Sequence, residues 1–265
     1  MVHFTNKRIC MNRGFWVVLS IILVSSAAFW FRQIYRQRLP DMPEVILVGT
    51  SADYPPFCFK ENGQITGFDI DVAKEVCTRL NKKCELRDMP FELLIPQLQN
   101  GSIQLAAAGM TPTRRRLELI PFTTTYLSKD PLVGLSLATH TPPITSPNQL
   151  KDLKVIVNQG YNADVFLSKM TISKLVRLPT LNDAVQALRS EQGDIFITSL
   201  NTIKPLFDKF GQETFSFFII EDTNESVALA LSPLYAKLGD EAGVIINKMM
   251  ADGTIDKFKE KWHVQ

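Results

Sequence analysis

Three consecutive bases, Arg114, Arg115 and Arg116, stand a few residues after Gly109-Met110-Thr111. A guanidinium is a planar fork whose donors match both oxygens of a carboxylate. One arginine of the trio, turned into a cleft, would therefore be an anion clamp. Gly109 and Thr111 would add backbone N–H donors, with the Thr111 hydroxyl beside them. Spacing alone does not choose among the three bases, and a solvated basic turn is the plain alternative. Tyr54 and Phe91, read by themselves, fit core positions. Facing a cleft, their rings would bury apolar atoms or hold a cation. Asp69 lies at the start of a helical stretch, where the macrodipole favours an acid. The chain has no G-x-S-x-G, Walker or H-E-x-x-H motif, and its cysteines have no metal-ligand spacing. No catalytic residue, metal or cofactor is expected, and the sequence does not place His140 or His263.

The elements that would position these residues alternate between two periodicities. Val45–Val48, Ile103–Ala108, Val155–Val157 and Ile195–Thr198 are short apolar runs that predict buried strands. Val72, Val76 and Leu80, then Leu93, Leu94 and Leu98, recur at helical spacing, as do Ala163–Met170, Leu181–Arg189 and Thr202–Phe210. The end of the chain, Gly239–Met250 and Thr254–Trp262, predicts two helices broken at Asp252-Gly253. Strand–helix alternation on both sides of the proline-rich stretch 141–147 predicts two α/β units with mostly parallel sheets. Ligands in such sheets sit beyond the carboxyl ends of the strands. That rule selects the loops Ser51–Phe57, Gly109–Arg116 and Gln159–Asn162.

Charge separates the first 43 residues from the rest. They hold Lys7, Arg8, Arg13, Arg32, Arg36 and Arg38 against Asp41 alone, so the net charge of +2 hides a slightly acidic remainder. A basic leader with an acidic globular part excludes a nucleic-acid binder, which needs its bases on the folded surface. Gly14–Phe31 is uncharged and, as a helix, spans about 27 Å, enough to cross a bilayer core. This segment predicts export. Ser25 and Ala27 suit a cleavage site, whereas Phe29, Trp30, Phe31 and the arginines after them suit a retained anchor in the inner membrane. Cys77 and Cys84 are separated by a short polar turn. In an oxidising compartment a bridge there is geometrically reasonable, worth ~2–3 kcal/mol, with two half-buried free thiols as the alternative. Cys58 is left over as a packed residue.

Gly67-Phe68-Asp69-Ile70-Asp71-Val72, with Val76, Cys77 and Leu80 behind it, closely resembles the signature of the family 3 extracytoplasmic solute-binding proteins, the amino-acid receptors of ATP-driven importers. Ser51–Phe57 resembles their first binding loop, Gly109-Met110-Thr111 with Arg116 their carboxylate clamp, and Gln159-Gly160 the first ligand loop of their second lobe. Residues 251–257 and Lys261-Trp262 resemble the family's ending, so the resemblance runs from Glu44 to Trp262. It implies a two-lobed periplasmic-binding-protein type II fold with two crossover strands, near Val133–Ala138 and Val227–Leu231. Lobe one would comprise 44–135 and 229–265, and lobe two 136–228, after a leader of residues 1–43. It also supports the Cys77–Cys84 bridge, which several members form.

The same resemblance implies the ligand-binding set Ser51, Tyr54, Asp69, Phe91, Gly109, Thr111, Arg116, Gln159, Asn162 and Ser199. Arg116 becomes the clamp, Tyr54 and Phe91 sandwich the ligand side chain, and Tyr161 and Asn162 lie at a helix start that offers N–H groups. The implied ligand is an L-amino acid, arginine or another basic or polar one, captured by hinge closure and passed to importer membrane subunits. Two positions depart from the pattern. The acid that receives the ammonium is replaced by Ser199, and the first-loop acid by Ser51, leaving Asp53, Asp130, Glu221 and Asp222 as substitutes. The rivals are a cyclohexadienyl-dehydratase-like enzyme on the same scaffold and a ligand-sensing module.

Overall fold

The structure is a computed structural model that describes residues 24–26, 30 and 40–265. The expected leader helix over 14–31 lies outside the described residues, apart from Val24–Ser26 and Trp30, which are helical. Among the described residues no helix is long and apolar enough to cross a membrane. Asp41–Gln265 packs as one unit, built around two main sheets.

The first main sheet orders its strands β12-β6-β1-β5. Strand β1 (Val45–Thr50) pairs in parallel with β5 (Lys83–Asp88) and β6 (Leu105–Ala106), and β12 (Ala230–Leu231) closes the edge antiparallel. A small antiparallel meander of β2 (Asp53–Tyr54), β3 (Cys58–Glu61) and β4 (Gln64–Thr66) stands beside it. Helix α1 (Phe68–Arg79) follows the meander with Asp69 and Asp71 in its first turn. Gly67 caps it at φ +131, and a Cβ there would lie 2.3 Å from the Phe57 carbonyl oxygen, so only glycine fits. Phe68, Ile70, Val72, Ala73, Val76 and Cys77 form its buried face. Helix α2 (Phe91–Gln99) buries Phe91, Leu94 and Leu98, and α3 (Arg114–Leu117) is a single turn capped by Thr113. The terminal helices α7 (Ala236–Ala251) and α8 (Thr254–Trp262) return to this lobe. Lys261 Nζ and Trp262 Nε1 each donate to Asp71 Oδ2 at 2.7 Å.

The second main sheet orders β11-β7-β10-β8-β9. Its parallel part is β8 (Lys154–Asn158), β9 (Lys174–Leu178) and β10 (Ile195–Ser199), linked by α4 (Asn162–Leu167) and α5 (Leu181–Arg189). Helix α6 (Leu200–Phe210) leaves β10 directly. Strands β8 and β10 are buried on both faces: Ile156 and Phe196 join one apolar cluster, Val155, Val157, Ile195 and Ile197 the other. That explains why they read as unbroken apolar runs rather than alternating ones.

The two sheets are joined by long strands, β7 (Leu127–Leu137) and β11 (Phe215–Val227), which pair antiparallel along most of their length. Val133–Leu137 sits inside the second sheet, paired with β11 and, through Val133–Leu135, with β10. The first crossover therefore enters near Leu127, earlier than the sequence pattern suggests. Two polar stretches hid the continuity of these strands, Ser128–Asp130 in β7 and Glu221–Glu225 in β11. The ladder shifts register between Ile219 and Asn224 and again between Glu225 and Ser226.

The expected Cys77–Cys84 disulfide is not formed. Both cysteines are free, and their thiols lie close enough for each to shift the other's ionisation. The short turn delivers the two sulfurs to one place, as expected, without a covalent bond between them. Cys58 is buried, its thiol donating to the Ser51 carbonyl at 3.1 Å.

Candidate functional site

The loops at the carboxyl ends of β1, β6, β8 and β10 converge on a cleft between the two main sheets. From the first lobe it is lined by Tyr54, Phe91, Gly109, Thr111 and Arg116. From the second come Asn158, Tyr161, Asn162, Thr198, Ser199 and Glu225. The enclosed cavity is about 10 Å³, roughly the space of one water.

The first-lobe wall is set from below by Asp69. Its carboxylate is wholly buried and accepts the Gly109 N–H at 2.6 Å. Burial pushes its pKa up to about 7, against the Gly109 hydrogen bond that lowers it. Gly109 adopts φ +60, and a Cβ there would lie 3.2 Å from the Tyr54 ring. The left-handed backbone favours glycine there, and any side chain would also press on the Tyr54 ring.

Of the three candidate bases only Arg116 is buried. Nη1 donates to the Thr111 carbonyl at 2.8 Å, and Nη2 reaches across the cleft to the Gly160 carbonyl at 2.9 Å. The guanidinium also sits 5.3 Å from the Phe91 ring centroid. Burial lowers its pKa to about 10, so it stays charged at neutral pH. Carbonyls hold it in place, but among the described residues it forms no ion pair.

The second-lobe wall differs from what the sequence suggested. Tyr161 inserts its ring between the two first-lobe aromatics, 4.1 Å from Phe91 with the rings nearly parallel and 4.9 Å from Tyr54. Tyr54 and Phe91 do face the cleft, but the partner they hold is this tyrosine. Ser199 lines the wall as a hydroxyl and shares a 3.3 Å hydrogen bond with Tyr54 Oη. Asn162 lines it too, with Nδ2 donating to Glu225 Oε1 at 2.7 Å. Glu225 is buried opposite Asp130 in the β7–β11 ladder. Burial and the Asp130 charge raise its pKa to about 8, while Asn162 and Arg116 pull it down.

Of the expected binding residues, Tyr54, Phe91, Gly109, Thr111, Arg116, Asn162 and Ser199 come together here. Asp69 lies behind the wall as the support of Gly109. Ser51 turns to Asp53 Oδ1 at 2.9 Å, and Gln159 is not among the lining residues. None of the four substitute acids lines the cleft. Asp53 accepts the Leu181 N–H at 3.3 Å, tying the lobes together outside it. Asp130 is bound to the Asn201 N–H at 3.0 Å, and Glu221 and Asp222 are exposed. Glu225 was not legible beforehand, because only the register shift beside it turns this residue of a polar stretch inward. His140 and His263 also lie away from the cleft lining. Among the described residues no cluster of three or more His, Cys, Asp or Glu could hold a metal.

Residues 46–265 match the model of the bacterial extracellular solute-binding proteins, family 3. The chain is 27% identical over 229 residues to the arginine-binding extracellular protein ArtP of Bacillus subtilis, covering 82% of this chain and 85% of that protein. An ancestral arginine-binding protein bound to arginine superposes with a TM-score of 0.78 at 29% identity, over 83% of this chain and 99% of its own. The ancestral amino acid-binding protein AncCDT-1, a precursor of cyclohexadienyl dehydratase, gives 0.74 at 28% identity, over 83% and 95%. With the two-sheet architecture, the paired crossover strands and the buried arginine, these matches assign the chain to the bacterial extracellular solute-binding proteins, family 3.

Proposed function

We propose that the protein is an exported receptor that captures an amino acid between its lobes and delivers it to an ATP-driven importer in the membrane. The observation that carries this reading is Arg116, a buried guanidinium at the cleft that touches both lobes and has no anionic partner among the described residues. A buried charge is costly unless paired, so a ligand carboxylate is the group the site calls for. Binding would favour the closed arrangement, because Arg116 and Tyr54 already bridge to the second lobe. The relatives named for arginine and amino-acid binding support the ligand class. We take residues 14–31 as the address that carries the receptor out of the cytoplasm and holds it at the inner membrane.

The test is the melting temperature of the protein with each of the twenty amino acids. A ligand at a hundredfold its dissociation constant adds about 2.7 kcal/mol of stability. No shift with any amino acid would overturn the reading. The enzyme alternative draws on one observation, a cleft carboxyl, Glu225, whose pKa lies close to neutrality as a general acid's should. Consumption of a cyclic acid by the protein would put that reading ahead. We favour the receptor, since His140 and His263, the remaining candidate proton carriers, lie away from the cleft.

A further inference from the structure

The cleft contains two buried ionisable groups of opposite type, a guanidinium and a carboxyl, and among the described residues neither has an ion-pair partner. Arg116 is 6% exposed and spends its hydrogen bonds on two backbone carbonyls. Glu225 is 7% exposed and receives one hydrogen bond, from the neutral Asn162 amide. Each lies within the other's electrostatic reach, yet among the described residues they form no ion pair. The Thr111 hydroxyl, on the same cleft lining, is buried with no hydrogen-bond partner among the described residues. A buried guanidinium and a buried carboxyl held apart on one cleft lining make a template for a ligand carrying both charges, whose ammonium would replace the proton that burial keeps on Glu225.

The apolar side of the chamber is already filled. Tyr161 stacks on Phe91, tilts against Tyr54 and is only 7% exposed. Its hydroxyl points towards Ser51 and lies near Asp53. The protein's own ring therefore takes the slot between the two first-lobe aromatics, and the remaining lining mixes polar groups with Leu132, Ala163 and Ile197. The register shift beside Glu225 supplies the other half of the arrangement, since a bulge next to a site re-aims the side chain it carries.

We propose that the cleft, which has to open beyond its one-water volume to admit any amino acid, takes a compact zwitterion with little or no side chain, its carboxylate on Arg116, its ammonium on Glu225, and Tyr161 excluding longer side chains. This rests on the amino-acid capture reading and narrows it. Glu225 takes the role that Ser199 cannot fill, because a carboxylate neutralises an ammonium and a hydroxyl does not.

Titration calorimetry on the full chain tests both parts, using glycine, alanine and β-alanine against arginine, histidine and glutamine. The wild type and Tyr161→Phe should bind a small zwitterion at least tenfold more tightly than arginine. Tyr161→Thr, which opens the slot, should gain at least tenfold for arginine or glutamine. Glu225→Gln should lose at least tenfold for the small zwitterion while binding propionate, which has no ammonium, no worse than the wild type. Wild-type protein that takes arginine as tightly as alanine would overturn the role of Tyr161. Unchanged affinity in Glu225→Gln would overturn that of Glu225. Either result leaves amino-acid capture standing. If neither the wild type nor Tyr161→Thr binds any amino acid, both this inference and the capture reading fall.

Discussion

The two walls of the cleft were made in different ways. The first-lobe wall comes from strand ends, helix starts and one loop, tied to one another by close contacts: Asp69 pins Gly109, Thr111 accepts from Arg116, and Tyr54 packs over Gly109. Each partner lies in a segment whose pattern matches the family. The second-lobe wall draws on segments far apart along the chain, with Tyr161 at the loop, Ser199 at the end of β10 and Glu225 beside a register shift in β11. The first wall is thus the one that local pattern announces, and the second the one that only long-range pairing completes.

Truncating the centre of the first wall should have the largest effect. Arg116→Ala should weaken ligand binding by about 2–5 kcal/mol, the cost of leaving a buried carboxylate unpaired. Calorimetry with the strongest amino-acid ligand checks this, and a loss below tenfold would break the comparison by showing that the clamp is not central. Asp69→Ala removes the acceptor of the half-buried Gly109 N–H and should destabilise the fold by about 1–3 kcal/mol. Urea unfolding should show the loss and ligand affinity should fall with it, since the wall it supports would be loosened.

The second wall should show itself in pH dependence. Glu225 titrates at about 8 in the fold against 4.5 as a free side chain, and it faces Asp130, Arg116 and Tyr54. An acid raised in this way holds a proton that the unfolded chain releases. Its contribution is full below about pH 4.5 and is lost as pH rises through about 8. Asp69, raised to about 7 from 3.8 beside Tyr126 and Cys58, adds to the same slope at lower pH. Arg116, at about 10, remains charged throughout. Stability without ligand should therefore fall between pH 5 and 8, approximately the span between those values, and Glu225→Gln should flatten the upper half. An unchanged slope in that variant would place the titration elsewhere. The smallest effect belongs to the link between the walls. Tyr54→Phe removes the 3.3 Å hydrogen bond to Ser199 and should cost about 0.5–1.5 kcal/mol, read as a small drop in melting temperature.

How much of this was legible varies by element. Helix α1, with its acids in the first turn and its 3.6-residue apolar face, is written locally. So are β8 and β10, whose burial on both faces leaves unbroken apolar runs. The three-stranded meander from Asp53 to Thr66 was not legible as strands, because its residues are short, polar-edged and mixed with turns. Strands β7 and β11 were seen only in part, since a strand that passes from one sheet to another changes its surroundings along its length. The cysteines show the same limit at closer range: spacing brought Cys77 and Cys84 together, but it did not decide that they remain thiols.

By itself the sequence determined the α/β alternation, the loops at the strand ends and the family motifs that single out Arg116, Tyr54 and Phe91. Those depend on neighbours close along the chain, where periodicity and turn chemistry act. Only the tertiary structure decided that Arg116 alone of its trio is buried, that Tyr161 lies between the two aromatics, and that Glu225 rather than Asp53 or Asp130 faces the cleft. Each of those outcomes is set by segments tens of residues apart meeting across two lobes. A contact of that kind has no period to read.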